Sequence, residues 1–180
     1  MLDNFGHEQA KTQPSNIGRL LGKSLLLAIS FGGAVLFGPQ LAMADSEGPF
    51  AGLSGDWHGA GRILSGDGKG EKIACRASYQ VSPDGINLGQ SLVCASDSYR
   101  FDIRTSIFTD GKTLRGTWQE TTRNATGNLT GEVSPGLIQS RVTAPGFAAD
   151  VSVKTTGRKQ VVSINPEGKD ISQVDITMTH

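Results

Sequence analysis

The chain has 180 residues with 17 Lys+Arg against 17 Asp+Glu, so its formal net charge is zero. It carries no basic run and no acidic tail, which argues against nucleic acid or membrane-surface binding as its main business. Gly, Ser and Thr are abundant and long helix-forming stretches are absent, a balance that points to many short strands joined by tight turns.

In chain order, the first feature is a positive flank, Arg19 and Lys23, followed by an apolar run of 13 residues from Leu25 to Phe37. A Gly38-Pro39 break comes next, then Ala42-Met43-Ala44, with small residues at −3 and −1 of a cut before Asp45. This is the layout of a secretory signal, and the run is too short to span a bilayer comfortably. An uncleaved anchor or a buried helix is the competing account. The polar stretch from Met1 to Asn16 is either a long n-region or lies upstream of the true start codon. Residues 1–44 are therefore expected to be a signal peptide and residues 45–180 a single periplasmic or secreted domain, with no membrane span after cleavage.

The segment from Asp45 to His180 is 136 residues, and a chain of that size buries about two-thirds of its unfolded surface. Without Lys11, Arg19, Lys23, Asp3 and Glu8 it holds 14 basic and 15 acidic side chains, a net charge of −1. Both cysteines, Cys75 and Cys94, lie in it, and two cysteines in an exported chain most simply form one disulfide. A free or metal-binding pair is the rival, though no His or further Cys lies near enough in sequence to complete a zinc set.

Turn signals recur at Asp84-Gly85, Asp110-Gly111, Pro145-Gly146, Thr156-Gly157 and Pro166-Glu167-Gly168. If Asp84 and Gly85 are the two loop residues of a hairpin, Cys75 falls directly opposite Cys94, within disulfide range. The same face then carries Ile73, Ala77, Tyr79 and Val81 on one strand and Leu88, Gln90 and Leu92 on the other. Around Asp110-Gly111 the same rule pairs Phe101 with Glu120, Ile103 with Trp118, Thr105 with Gly116 and Ile107 with Leu114. Tyr99 through Ile107 alternates apolar residues with Arg100, Asp102, Arg104 and Ser106, as a half-buried antiparallel strand requires. Pro145-Gly146 turns Ile138, Ser140 and Val142 back onto Phe147, Ala149, Val151 and Val153. Thr156-Gly157 leads on to Val162 and Ile164, and a last strand carries Val174, Ile176 and Met178. Nine or ten consecutive strands result. A meander of this length leaves open edges unless it closes. The expected fold is all-β: an up-and-down antiparallel β-barrel of about 8–10 strands behind an N-terminal signal helix.

Two Gly-x-Trp elements, Gly55-Asp56-Trp57 and Gly116-Thr117-Trp118, sit in Gly-rich strands where a Trp can plug a barrel end. On these elements the chain resembles the calycin barrels, since lipocalins open on such an element and avidin-like barrels repeat it. That resemblance implies architecture only. A closer one rests on Phe50-Ala51-Gly52-Leu53-Ser54-Gly55-Asp56-Trp57-His58-Gly59, Cys75-Arg76-Ala77-Ser78-Tyr79, Cys94-Ala95-Ser96-Asp97-Ser98-Tyr99, Gly116-Thr117-Trp118 and Pro145-Gly146-Phe147-Ala148-Ala149. Together these are similar to a family of small exported proteins of alphaproteobacteria. The resemblance implies a periplasmic β protein and contributes no activity.

Catalytic constellations are not evident. His58 and His180 are the histidines after the signal, and His58, next to Trp57, is expected on the solvent face. Gly66-Asp67-Gly68-Lys69-Gly70 lacks the Gly-Lys-Ser/Thr ending of a phosphate loop and is expected to be a hairpin loop. Asn124-Ala125-Thr126 and Asn128-Leu129-Thr130 match glycosylation sequons, but alternation of Thr and Asn on a strand face accounts for them equally well. No pair of carboxylates shares a face at catalytic spacing, and no cofactor motif is present. The expectation is a non-catalytic barrel holding a small, largely apolar ligand, with Trp57, Tyr79, Gln90, Phe101, Trp118 and Glu120 as cavity residues. Glu120 is either a polar anchor at the mouth, with Gln90 or Tyr79, or a rim residue reaching solvent. The alternative is an interaction module, such as a periplasmic inhibitor or the partner of an envelope protein, acting through an extended segment from Asp45 to Leu53.

Overall fold

Period-two alternation of apolar and polar side chains builds every strand of this protein. The computed structural model describes residues 47–168 and 170–180, so the expected signal segment and the cut before Asp45 lie outside the described residues. The strands are β1 (Gly55–Ser65), β2 (Gly70–Val81), β3 (Asn87–Ala95), β4 (Arg100–Thr109), β5 (Thr113–Glu120), β6 (Ala125–Ser134), β7 (Leu137–Ala144), β8 (Phe147–Thr156), β9 (Lys159–Pro166) and β10 (Ile171–Thr179). Each pairs antiparallel with the next, and β10 returns to β1, giving a closed ten-stranded up-and-down barrel. Closure leaves no sheet edge unpaired, which is the advantage expected for so long a meander.

The first hairpin has the register its turn chemistry predicts. Cys75 faces Cys94, Tyr79 faces Gln90 and Val81 faces Leu88. Its loop is longer than two residues, because Ser82 still pairs with Asn87 and the Gly85 amide closes a tight turn onto the Ser82 carbonyl at 2.8 Å. Lengthening a loop equally on both sides leaves the pairing unchanged. Gly85 adopts φ +68°, a value glycine reaches without steric cost.

The second Asp-Gly behaves differently. Ile103 pairs with Glu120, Thr105 with Trp118, Ile107 with Gly116 and Thr109 with Leu114, a shift of two residues from the expected register. Asp110 instead pairs with Thr113, so Gly111 and Lys112 form the loop, with φ +114° at Gly111 alone. Gly at the first loop position with positive φ is the demand of a type II′ hairpin, and this turn wins over one centred on Asp-Gly. A two-residue slip preserves the inward and outward faces. Likewise Thr156 pairs with Lys159, so the next loop is Gly157-Arg158 and not Thr156-Gly157. Pro145-Gly146 is a two-residue loop, as expected. Gly66 to Gly68 links β1 to β2 as a short hairpin loop.

The disulfide forms between Cys75 and Cys94, with Cα atoms 4.2 Å apart and both residues buried on the inward face. At a sequence separation of 19 it removes about 3 kcal/mol of chain entropy from the unfolded state.

The two ends of the barrel differ. At one end residues 47–54 fold across the opening. Phe50 is fully buried, its amide bonds to the Gly85 carbonyl at 3.2 Å, and Leu53 lies beside it in the core. The Trp57 indole N–H donates to the Leu53 carbonyl at 2.9 Å, and the His180 ring meets the Trp57 ring at 5.1 Å. We call this the closed end. The opposite, open end carries the loops between β3 and β4, β5 and β6, and β7 and β8.

Inward-facing glycines mark two seams. A Cβ at Gly59 or Gly61 of β1 would strike carbonyls of Thr177 or Asp175 on β10. One at Gly116, Gly127 or Gly131 would strike carbonyls of Ser106, Thr143 or Gln139 on β4 and β7. In cyclic order β1 and β6 are five strands apart, so the backbone bends sharply on opposite sides of the barrel. These small residues serve closure. Outward positions are mostly polar, as in Lys72, Arg76, Ser78 and Gln80 of β2, which is the reverse of the apolar outer band of lipid-facing barrels. Among the described residues no helix is long and apolar enough to cross a membrane.

Candidate functional site

The six residues expected around one cavity lie in three places. Trp57 belongs to the plug of the closed end, buried to 1% exposure. Its rigid anchoring through Leu53 and His180 gives it a sealing role.

Tyr79 and Gln90 meet in the interior, but their further partner is Gln160. The Tyr79 hydroxyl donates to Gln160 Oε1 at 2.7 Å and accepts from Gln90 Nε2 at 3.2 Å, while Gln160 Nε2 donates to the Thr155 hydroxyl at 3.2 Å. Burial pushes the Tyr79 phenol up to about 12, against the opposing pull of its bonds to Gln160 and Gln90. Gln160 is itself fully buried, so this chain satisfies groups that would otherwise be costly to desolvate. Gln160 shares inward parity with Val162 and Ile164, and that alternation was the signal that could have found it.

Glu120 lies near the open end and is buried to 5% exposure. Its carboxylate accepts the amides of Asp102 at 3.0 Å, Thr122 at 3.2 Å and Arg123 at 2.7 Å, and the Thr122 hydroxyl at 2.6 Å. Burial alone would raise its pKa, but these donors overcome it and hold the group at about 2. Arg123 adds an ion pair at 3.6 Å. The carboxylate caps the loop between β5 and β6, and none of these bonds runs to Gln90 or Tyr79.

Phe101 and Trp118 line the open end. Phe101 stacks on Tyr99 with centroids 6.2 Å apart, and the Arg123 guanidinium lies over the Phe101 ring at 5.2 Å. Trp118 meets Phe147 edge-on at 5.7 Å, and Phe147 keeps 38% of its surface exposed. Ile103, Val142 and Ile164 are likewise inward-facing yet only partly buried, whereas Leu92 and Val174, the cross-strand partners of Ile103 and Ile164, are buried. The Trp118 indole Nε1 is buried without a hydrogen-bond partner, and a Cβ at Gly127 would sit 2.7 Å from it. A buried donor left unpaired costs about 1–3 kcal/mol. Alternation puts Phe147 on the same face as Ala149 and Val151, but it gives a face and no depth, so the place of Phe147 at the mouth is not visible in the sequence.

Two concavities lie elsewhere. A groove of about 810 Å³ crosses β4 to β7, lined by outward residues such as Arg104, Thr117, Gln119 and Asn128, with Trp118 and Gly127 between them in the strands. A pocket of about 210 Å³ at the closed end lies between residues 49–53 and the ends of β7 and β8. Among the described residues no three of His, Cys, Asp and Glu stand together as a metal set. Compared with known proteins, the chain matches no family model and no curated protein.

Proposed function

We propose that this is an exported, non-catalytic binding barrel that takes one small, largely apolar ligand through its open end. The observation that carries it is the asymmetry of the ends: Phe50, Leu53 and Trp57 seal one, while Phe101, Trp118 and Phe147 keep apolar surface accessible at the other. Apolar surface that a fold leaves unburied is stabilised by a ligand that covers it. The unpaired Trp118 N–H adds a preference for a ligand with one hydrogen-bond acceptor. Ten strands also enclose a wider interior than the eight that side chains can fill. Export is supported by the signal-like segment before Asp45, by the disulfide and by the resemblance to small exported proteins.

The inhibitor alternative needs a free N-terminal arm. Phe50 and Leu53 are held in the core, which favours the ligand barrel.

Native mass spectrometry of protein purified from the envelope fraction tests the proposal, together with titration by the apolar fluorophore N-phenyl-1-naphthylamine. Saturable one-to-one binding is expected, weakened about tenfold or more by Phe147→Asp at the mouth. Recovery in the cytoplasm with reduced cysteines overturns export. Absence of saturable binding, or binding indifferent to Phe147→Asp, overturns the ligand assignment.

A further inference from the structure

The groove on the outer wall is chemically unlike the mouth and lies on the other face of the sheet. Register aligns its side chains in two cross-strand rows. Ser106 faces Thr117, Thr117 faces Asn128 and Asn128 faces Thr143. Beside them Arg104 faces Gln119, and Gln119 faces Thr126. Among the described residues the one internal hydrogen bond made by these side chains is from the Thr143 hydroxyl to the Asn128 carbonyl, at 3.5 Å. Arg104 is exposed and takes part in none of the ion pairs formed by the described residues, and no carboxylate lines the groove.

We infer that this groove binds an acidic oligosaccharide, with Arg104 as the partner of its carboxylate and the Thr–Asn row as the partner of its hydroxyls. Its volume falls in the range of ligand sites, and eight of its twelve lining residues carry polar side chains set among apolar surface. Short hydroxyl and amide side chains supply paired donors and acceptors, which match vicinal hydroxyls and cost little rotamer entropy to fix. A protein partner would need a buried aromatic or aliphatic anchor, and the outward residues of the groove provide none. Nucleic acid would need several cations, and Arg104 is a single one. A guanidinium facing no internal acid fits a carboxylate through two parallel hydrogen bonds. The two sequon asparagines and threonines of the sequence fall in or beside this region, so Asn128 and Thr126 find their use as ligand contacts.

Amide shifts of the protein titrated with tetragalacturonate, and in parallel with neutral maltotetraose, test the site. Saturable shifts at Ser106, Thr117 and Asn128 are expected with the acidic probe, and Phe147 at the mouth should stay unmoved. Arg104→Gln should weaken tetragalacturonate about tenfold or more, the scale of one charge-assisted hydrogen bond. The double variant Thr117→Val with Asn128→Ala should abolish the remaining shifts. Both variants change outward side chains, so an unchanged melting midpoint shows the barrel intact. No shifts, shifts confined to other strands, equal affinity for the neutral probe, or indifference to Arg104→Gln overturns the inference.

Discussion

Glu120 shows how one buried carboxylate holds a loop. Four donors from Asp102, Thr122 and Arg123 converge on it, so its ionised form is worth more in the folded protein than in the unfolded chain. Its pKa falls from 4.5 to about 2 on folding, and that difference corresponds to about 3 kcal/mol. Because the folded value is the lower one, this contribution is present above pH 4.5 and is lost as pH falls towards 2. Glu120→Gln should therefore cost about 2–3 kcal/mol at neutral pH, and the gap to the parent should close in acid. Urea unfolding at pH 7, 4 and 2.5 measures it; a gap that stays constant with pH contradicts the assignment. Tyr79 has the opposite sign. Its phenol is raised from 10.0 to about 12, so stability is kept below pH 10 and lost as pH rises through 12. Tyr79→Phe should remove that alkaline loss while leaving Gln160 short of a donor, at a cost of about 1–2 kcal/mol at neutral pH, read from the same unfolding curves.

At the scale of elements, the hairpin of β2 and β3 is a self-contained unit closed by its own turn and its disulfide. Cys75→Ser with Cys94→Ser should lower stability by about 3 kcal/mol without moving the register, since the turn at Ser82 to Asn87 already sets it. Thermal unfolding compared with and without reductant, alongside the serine variant, checks this; a larger loss in the variant than in the reduced parent would mean the cysteines also pack. How much of the fold was legible follows from turns of this kind. Asp84-Gly85 and Pro145-Gly146 lie at the centre of their hairpins, so pairing about them was readable. Asp110-Gly111 lies off-centre because Gly111 takes the first loop position, which displaced the expected pairs by two. The loops at Asp97-Ser98 and at residues 121–124 had weaker signatures, and alternation alone separated their strands, whereas Pro135-Gly136 carries the same Pro-Gly signal as Pro145-Gly146. Faces were thus legible throughout. The site was less so, because period-two alternation says which residues point inward but not how deep they lie or what meets them across the barrel. Tyr79 finds Gln160 81 residues away, and the donors that claim Glu120 include the backbone of the loop after it.

For the whole molecule, closure is the step that local chemistry does not supply. Nine hairpins form between sequence neighbours, whereas the β1–β10 seam joins Gly59 to Met178 across most of the domain. The seam closes because Gly59 and Gly61 lack side chains where carbonyls of β10 pass beneath them. Gly59→Ala places a Cβ against the Thr177 carbonyl and the Met178 backbone, neither of which can move without parting the strands. The expected cost is about 3 kcal/mol, and the two strands freed at the seam would expose unpaired amides and carbonyls that template association. Ala60→Ser, one residue on and outward, should stay within about 0.5 kcal/mol of the parent. Size-exclusion chromatography with light scattering should show the Gly59→Ala protein shifting to oligomers as concentration rises, while Ala60→Ser remains a single species. A Gly59→Ala protein as stable and as undispersed as the parent would mean the seam has slack, and that the glycines of β1 are not what lets the barrel shut.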